Sequence, residues 1–264
     1  MSGFLQLPTT FRKFGRALAL ILPGNYRRWN YCYGNYKEGH MGQNIQLTAA
    51  DGFEFGAYVA EPDGEAKVAV VVVQEIFGVN QHIREVTDGY AAAGYYAVAP
   101  KIFDRVDTDI ELGYEEADMG KGVEIAFQKL DMSMALVDIQ TAIDTAATHG
   151  KVGVVGYCFG GLLTWLAACD LNNVSAASAY YGGGIAGQMD KSPDCPVIMH
   201  FGERDAHISM SDVESIRQAQ PDSPVYVYAA DHGFNCDHRA SYDADASALA
   251  LQRTLAHFSA HLAT

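Results

Sequence analysis

Short apolar runs alternate with segments of helical spacing along most of this chain. Residues 45–48 and 53–59 alternate apolar and polar side chains around the turn Ala50-Asp51-Gly52, which predicts an antiparallel hairpin. Residues 67–73 form a continuous valine-rich run, which is typical of a strand buried on both faces of a parallel sheet. Further strands are predicted at 95–99, 151–156, 176–181, 195–201 and 224–229. Helices are predicted at 80–93, 115–130, 134–147, 162–168, 213–219 and 243–262.

This alternation of strands and helices predicts an α/β fold. Its sheet should be mostly parallel, with helices on both faces and an antiparallel hairpin at the N-terminal side. At 264 residues and 49% hydrophobic composition, the chain is long enough to bury one large core. We therefore expect a single domain over residues 41–264.

Residues 1–40 differ from the remainder in charge and pattern. They carry a net charge of +5, whereas the 12 basic and 31 acidic residues of 41–264 give −19. The apolar run 17–22 is too short to span a bilayer, and no clean small-residue cleavage site follows it. Three interpretations stay open: an organelle-type targeting segment, a surface arm, or upstream sequence translated from a start before Met41. The strand pattern that begins directly after Met41 favours the last of these.

Charge and cysteine usage restrict the partners. The net charge of −14 argues against nucleic acid or an anionic membrane, because both require clustered Lys and Arg. Five cysteines make an odd number without a regular spacing, so free thiols in a reducing compartment, here the cytoplasm, are expected. A monomer or a homodimer is compatible with this composition.

Residues 151–161 read as a strand, a very tight turn and a helix, with Cys158 at the turn. Gly156 and Gly160 stand two positions before and after Cys158, where a sharp turn crowds the backbone. In such an elbow the central side chain is exposed above the sheet, and the N–H of Phe159 points to where an oxyanion forms. The helix that follows stabilises negative charge at the thiol. The alternative is an ordinary strand-to-helix turn with an inert cysteine.

An acid and a histidine follow Cys158 at the ends of later predicted strands. Asp205 lies in the polar loop after strand 195–201, and His232 lies in the loop after strand 224–229. The order nucleophile, acid, histidine is that of the α/β-hydrolase arrangement. In it, His232 takes the thiol proton and later protonates the leaving oxygen, while Asp205 holds the imidazole in the correct tautomer. Taken singly, Asp205 could be a solvated carboxylate or a partner of Arg204, and His232 could cap a turn.

Five short segments carry a resemblance to the dienelactone hydrolase family, the carboxymethylenebutenolidases. They are Gln-Glu-Ile-Phe-Gly at 74–78, residues 94–100, Gly-Tyr-Cys-Phe-Gly-Gly at 156–161, Tyr-Tyr-Gly at 180–182 and His-Gly-Phe at 232–234. The resemblance runs from about residue 42 to the C-terminus. It implies an α/β-hydrolase without a large cap that opens an enol lactone through a thioester. It maps the triad onto Cys158, Asp205 and His232, and the oxyanion donors onto the backbone of Phe159 and Ile76.

The resemblance also assigns roles to charged residues near the elbow. Read alone, Glu75 at the end of a buried strand would pair with a nearby cation. In the family, the matching glutamate accepts the thiol proton when substrate arrives. Arg105 matches one of the family's substrate-binding arginines, which favours an anionic substrate. The second such arginine is replaced at its usual offset by Cys236, and Arg239 could substitute for it.

Other kinds of site find little support. His232, Cys236 and His238 lack a second ligand pair at zinc spacing, and no GxGxxG motif is present, so neither a metal nor a cofactor is expected. Two functions remain. The first is a cysteine-dependent hydrolase of a small lactone or activated ester, and the second is a non-catalytic or thiol-sensing protein that keeps the hydrolase fold.

Overall fold

A computed structural model describes residues 42–108 and 110–263 of the chain. The proposed extension, residues 1–40, lies outside the described residues. Eight strands are described within these ranges: β1 (Gln43–Thr48), β2 (Glu54–Ala60), β3 (Val68–Val73), β4 (Tyr96–Pro100), β5 (Lys151–Tyr157), β6 (Val174–Tyr180), β7 (Val197–Gly202) and β8 (Val225–Tyr228). The six α-helices of the same ranges are α1 (Gln81–Ala92), α2 (Glu116–Glu124), α3 (Met132–Ala146), α4 (Phe159–Asp170), α5 (Met210–Ala219) and α6 (Ala244–Leu262).

The strands form one sheet in the order β1-β2-β4-β3-β5-β6-β7-β8. The first two pair antiparallel with each other, and β2 pairs antiparallel with β4. From β4 to β8 all neighbours are parallel. The predicted α/β class, with its parallel sheet and antiparallel N-terminal hairpin, is confirmed.

Burial of the central strands follows the sequence pattern. The side chains of β3 after Val68 are all buried, as a valine run between two helical layers requires. Helix α4 is apolar on every face and its residues Phe159 to Ala168 are buried, so it packs inside the molecule and not on its surface. These two elements hold the centre of the sheet and the turn that follows β5.

Parallel strands in register carry their C-terminal ends to a common edge. Val73 at the end of β3 pairs with Gly156 of β5, and Tyr157 pairs with Tyr180 of β6. Residues one to three positions beyond these strands therefore leave the sheet side by side. This edge is where open parallel sheets place their sites.

Three predicted helices have clearly different bounds in the structure, and one of them, α4, begins at Phe159 and not at residue 162. The single helix expected over 115–130 is α2 followed by a π-helical turn, Ile125–Lys129. Helix α5 begins three residues earlier than predicted because Ser209 and Asp212 form a reciprocal capping box. Across the described part of the chain, every helix is too short or too polar to span a bilayer.

Candidate active site

Cys158 occupies a strained turn between β5 and α4. Its φ of 55° and ψ of −115° lie in a region that residues with a side chain rarely adopt. A side chain at Gly156 would collide with the backbone oxygen of Gly160, and one at Gly160 would collide with the carbonyl oxygen of Val73. The two glycines therefore allow the turn to close, and the half-buried Cys158 side chain stands at its tip.

Asp205 and His232 meet at the same edge of the sheet. His232 Nδ1 lies 2.7 Å from Asp205 Oδ2. The other carboxylate oxygen, Oδ1, accepts hydrogen bonds from the backbone N–H of His207 at 2.8 Å and of Ile208 at 3.1 Å. Both oxygens are therefore held, and the carboxylate can orient the imidazole. Arg204 instead lies 3.6 Å from Asp231 on the surface, so it is not the partner of Asp205.

The pKa values of this pair reflect burial and hydrogen bonding. Burial opposes the charged form of His232 most strongly, but hydrogen bonds to Asp205 and to Cys158 and the charges of both residues raise its pKa to about 10. Burial raises the pKa of Asp205. The contact with His232 and the hydrogen bonds from the two backbone N–H donors together outweigh burial, so the pKa is lowered. With both Cys158 and Asp205 ionised, the raised pKa favours the protonated form of His232, and this proton is available for a leaving oxygen.

The other cysteines that the structure describes differ from Cys158 in their surroundings. Burial raises the pKa of Cys169 to about 11, and it raises the pKa values of Cys195 and Cys236 to about 12. The negative charge of Glu75 adds to the effect at Cys236. These three thiols stay protonated at neutral pH, and Cys158 is the thiol that contacts His232.

Glu75 is buried in an unusual state. Its side chain is 1% exposed, and neither carboxylate oxygen has a hydrogen-bond partner among the described residues. The compensating charge is Arg239, whose Nη1 lies 3.6 Å from Glu75 Oε1. The Arg239 guanidinium lies over the rings of Phe77 and Tyr114 at 5.7 and 5.8 Å. Glu75 thus has the cation partner expected of a buried strand-end glutamate, and this cation comes from the loop that carries His232.

Arg105 is engaged elsewhere. Its Nε and Nη2 donate to Asp138 at 2.9 and 2.6 Å, and its Nη1 donates to Asp51 at 2.6 Å. The hydrogen bonds to Asp138 and Asp51 raise the pKa of Arg105, and the guanidinium also stacks on the Phe53 ring at 4.2 Å. The structure therefore ties Arg105 to the β1–β2 hairpin and to α3, and these contacts occupy its fork of donors.

The backbone of Ile76 and Phe159 leaves the sheet at neighbouring positions. Ile76 lies three residues beyond Val73, the last residue of β3. Phe159 lies three residues beyond Gly156, the residue of β5 that pairs with Val73. This register is compatible with two N–H groups that converge on one oxygen.

Tyr181 lies beside His232, although the sequence pattern does not single it out within the segment Tyr-Tyr-Gly at 180–182. Its φ is 36°, its side chain is fully buried, and its ring centroid is 5.1 Å from that of His232. Its hydroxyl has no hydrogen-bond partner among the described residues, and burial with the charges of Glu75 and Cys236 raises its pKa. The available sequence signal was the position of Tyr181 directly before a run of glycines. The neighbouring residues did not indicate that Tyr181 itself has a positive φ.

Comparisons with known proteins show the family to which this chain belongs. A family profile described as the dienelactone hydrolase family matches residues 55–262. The carboxymethylenebutenolidase of Pseudomonas putida is 33% identical over 223 residues, which cover 81% of this chain and 94% of the relative. A candidate carboxymethylenebutenolidase of Synechocystis sp. is 36% identical over 241 residues and covers 83% and 94%.

Solved structures extend the similarity to three dimensions. A crystal structure of a candidate dienelactone hydrolase from Klebsiella pneumoniae superposes with a TM-score of 0.70 at 32% identity, over 83% of this chain and 98% of that one. A dienelactone hydrolase-like promiscuous phosphotriesterase from metagenomic libraries gives a TM-score of 0.67 at 20% identity, which supports the fold alone. The chain therefore belongs to the dienelactone hydrolase family, and it is a carboxylic ester hydrolase with the α/β-hydrolase fold.

Proposed function

We propose that this hydrolase opens a small, anionic lactone or activated ester, of the kind that yields maleylacetate from dienelactone, through a thioester on Cys158. The observation that carries the proposal is the hydrogen bond of 2.7 Å between Asp205 and His232 beside the strained turn at Cys158. The names of relatives that are carboxymethylenebutenolidases support the substrate class.

Proton transfer begins at Glu75 in this mechanism. A substrate carboxylate competes with Glu75 for the Arg239 guanidinium, since a pair separated by 3.6 Å and without a hydrogen bond is open to exchange. Glu75, once without its cation in a buried site, takes the proton of the Cys158 thiol. The thiolate then forms only when an anionic substrate is bound, which limits its exposure to oxidants.

The bond changes follow from these positions. Cys158 Sγ attacks the lactone carbonyl, and the oxyanion accepts hydrogen bonds from the N–H groups of Phe159 and Ile76. The ring C–O bond breaks, and the leaving oxygen takes the proton of His232. Neutral His232 then removes a proton from water, which attacks the thioester. The C–S bond breaks, and the thiolate regains its proton from Glu75. The net reaction adds one water to the ester bond.

A trapped intermediate tests the nucleophile. Acid quenching during turnover of a slow p-nitrophenyl ester that carries a free carboxylate should leave an acyl group on the Cys158 peptide, as intact-mass and peptide analysis would detect. The burst of nitrophenol should disappear in Cys158→Ala and persist in Cys236→Ala, whose thiol is buried. An adduct found only on another residue would contradict the assignment.

Cooperation within the triad is tested by a double variant. His232→Ala should lower kcat/KM by roughly 10²–10⁴-fold, and Cys158→Ala with His232→Ala should lose little more than Cys158→Ala alone. Fully multiplicative losses would show that the two residues act independently.

The cellular location and the assembly state belong to the proposal as well. The four cysteines of the described residues are free thiols, which supports a reducing compartment such as the cytoplasm. We propose a monomer or a homodimer, which sedimentation equilibrium would distinguish.

A further inference from the structure

A group of metal-ligating side chains lies beside the active site and has no part in the hydrolysis described above. His82 and Glu85 come from α1, and Asp237 and His238 come from the loop that carries His232. One ligand atom from each of His82, Asp237 and His238 lies within 4.8 Å of the others. These residues connect a helix to a segment more than 150 positions away in the chain.

The separations between Asp237 and the two histidines suit an ion better than direct hydrogen bonds. His82 Nδ1 and His238 Nε2 lie 3.6 and 3.8 Å from Asp237 Oδ1. A hydrogen bond between nitrogen and oxygen measures about 2.7–3.2 Å. Ligands at about 2.0–2.2 Å from a tetrahedral Zn²⁺ lie roughly 3.3–3.6 Å from one another, so Asp237 is close to the spacing of a shared ligand.

A fourth oxygen stands next to these three atoms. Glu85 Oε2 forms a direct hydrogen bond with His238 Nε2 at 2.8 Å, which an ion bound between the two atoms would replace, and the Glu85 side chain is partly exposed. Two imidazole nitrogens with two carboxylate oxygens form a ligand set for Zn²⁺, Co²⁺ or Ni²⁺. Mg²⁺ and Ca²⁺ instead prefer ligand sets made of oxygen atoms. His82 is buried while Asp237 and His238 are partly exposed, so an ion can enter from solvent and be held on one side by the protein.

A second group, Glu75, His82 and Cys236, shares His82 and is fully buried. The Arg239 guanidinium lies 3.6 Å from Glu75 and repels a cation at that position. In the outer group, Asp237 faces the imidazoles of His82 and His238, and Glu85 faces His238, so these contacts place no guanidinium against the ion.

From these observations we propose that His82, Asp237 and His238 bind one divalent transition-metal ion of the zinc class, with Glu85 as the fourth ligand. The ion would join α1 to the loop of residues 231–239, which carries His232 at one end and Arg239 at the other. Its expected effect is to restrict the opening of this loop. The proposal is independent of the identity of the natural substrate.

Titration of the full chain with Co²⁺ and competition by Zn²⁺ test the site. The Cys158→Ala background removes the thiol beside His232 as a rival ligand. One Co²⁺ per chain should bind and give visible d–d bands of tetrahedral intensity without a thiolate-to-cobalt charge-transfer band. Such a charge-transfer band would move the site to the buried group with Cys236 and overturn the proposal.

Matched variants decide which histidines hold the ion. His238→Ala should raise Kd by roughly 100-fold or more, because even an outer partner of a ligand changes metal affinity about 10- to 100-fold. Glu85→Gln should weaken binding less. His261→Ala is the control, since His261 is exposed on α6 and its ring centroid lies 4.7 Å from that of the half-buried His257. Unchanged Kd in His238→Ala, or binding lost in His261→Ala, would refute the site.

Hydrogen exchange gives a second readout that does not depend on activity. Saturating Zn²⁺ should slow amide exchange in residues 233–239 of the parent protein and leave that segment unchanged in His238→Ala. Equal protection in both proteins would also refute the proposal. Circular dichroism without metal should match between the two, because His238 is partly exposed and its hydrogen bond to Glu85 lies at the surface.

Discussion

Asp205 and Glu75 are two buried carboxylates that follow strands β7 and β3 of the same sheet, and their surroundings are opposite. Asp205 accepts hydrogen bonds from two backbone N–H groups and contacts the imidazole of His232 at 2.7 Å. Glu75 has no hydrogen bond to either oxygen among the described residues, and its charge is balanced only by Arg239 at 3.6 Å.

These surroundings distinguish Asp205, whose charge is held in place, from Glu75, which we propose changes its protonation state. Hydrogen bonds to the charged form keep Asp205 ionised, so it can orient an imidazole but is a poor proton acceptor. A buried carboxylate without donors depends on one cation, and loss of that cation makes protonation favourable.

Replacement of the fixed carboxylate should have the largest effect. Asp205→Asn keeps the shape but presents the wrong group to His232, and a comparable change in a serine protease triad lowers kcat about 10⁴-fold. Steady-state kinetics on a lactone would measure it. Asp231→Asn is the control, because Asp231 is exposed and pairs with Arg204. A loss of less than tenfold in Asp205→Asn would remove Asp205 from the triad.

Replacement of the variable carboxylate should cost less and affect one step. Glu75→Gln removes the proposed acceptor of the thiol proton, and acid–base catalysis of this kind contributes roughly 10²–10⁴-fold. Stopped-flow burst kinetics should find acylation slowed while hydrolysis of the preformed thioester is preserved. Glu111→Gln, on an exposed residue that pairs with Arg84, is the control. Equal slowing of both steps would contradict the role.

Replacement of Arg239 and replacement of Arg105 should have different effects on the hydrolysis of anionic substrates. Arg239→Gln should lower kcat/KM for a carboxylated lactone by roughly 10- to 150-fold, the value of a charge-assisted hydrogen bond of about 1.5–3 kcal/mol, and should affect the methyl ester less. Arg105→Gln should affect both substrates equally, because its donors are held by Asp51 and Asp138. A selective loss in Arg105→Gln would restore the substrate-binding role that the family resemblance implies.

The Asp205–His232 pair should shape the dependence of stability on pH. The pKa of His232 is raised from 6.5 to about 10, so its contribution is complete below pH 6.5 and is lost as the pH rises toward 10. The pKa of Asp205 is lowered from 3.8, so its contribution is present above pH 3.8 and is lost as the pH falls through the lower value. Guanidinium unfolding across this range should find a decline above neutrality that is reduced in Asp205→Asn. Parallel curves would contradict the coupling.

Residues 1–40 should have the smallest effect. Every residue of the proposed site lies beyond Met41, and the family match begins at residue 55. A protein that starts at Met41 should therefore keep the melting temperature and kcat/KM of the full chain. Insolubility or lost activity would mean that the segment is part of the domain.

Most of the fold and the main parts of the site could be predicted from local sequence. The valine run of β3 and the spaced glycines around Cys158 restrict the backbone over a few residues, through burial and steric exclusion. Cys158, Asp205 and His232 each follow a strand of the parallel part of the sheet. Parallel connections bring the ends of these strands to one edge, so the three residues are expected to meet there. None of these inferences required knowledge of a contact between distant side chains.

Pairing between charged side chains was decided only by the tertiary structure. Asp205 selects His232, which is 27 positions away, and not the adjacent Arg204. Arg105 is bound by Asp138 and Asp51, at separations of 33 and 54 positions, although its own loop places it at the sheet edge. Sequence order carries no record of which long side chains can reach each other, since that depends on loop paths and burial.

The loop of residues 231–239 illustrates the same limit. Its sequence identified His232 and left Arg239 as an alternative, but it could not indicate that Arg239 returns to Glu75 or that Asp237 approaches His82. Local patterns determine strands, helices and tight turns because these depend on neighbours in the chain. The partner of each buried charge is determined by the packed molecule, because only there does desolvation require compensation and geometry restrict which group can provide it.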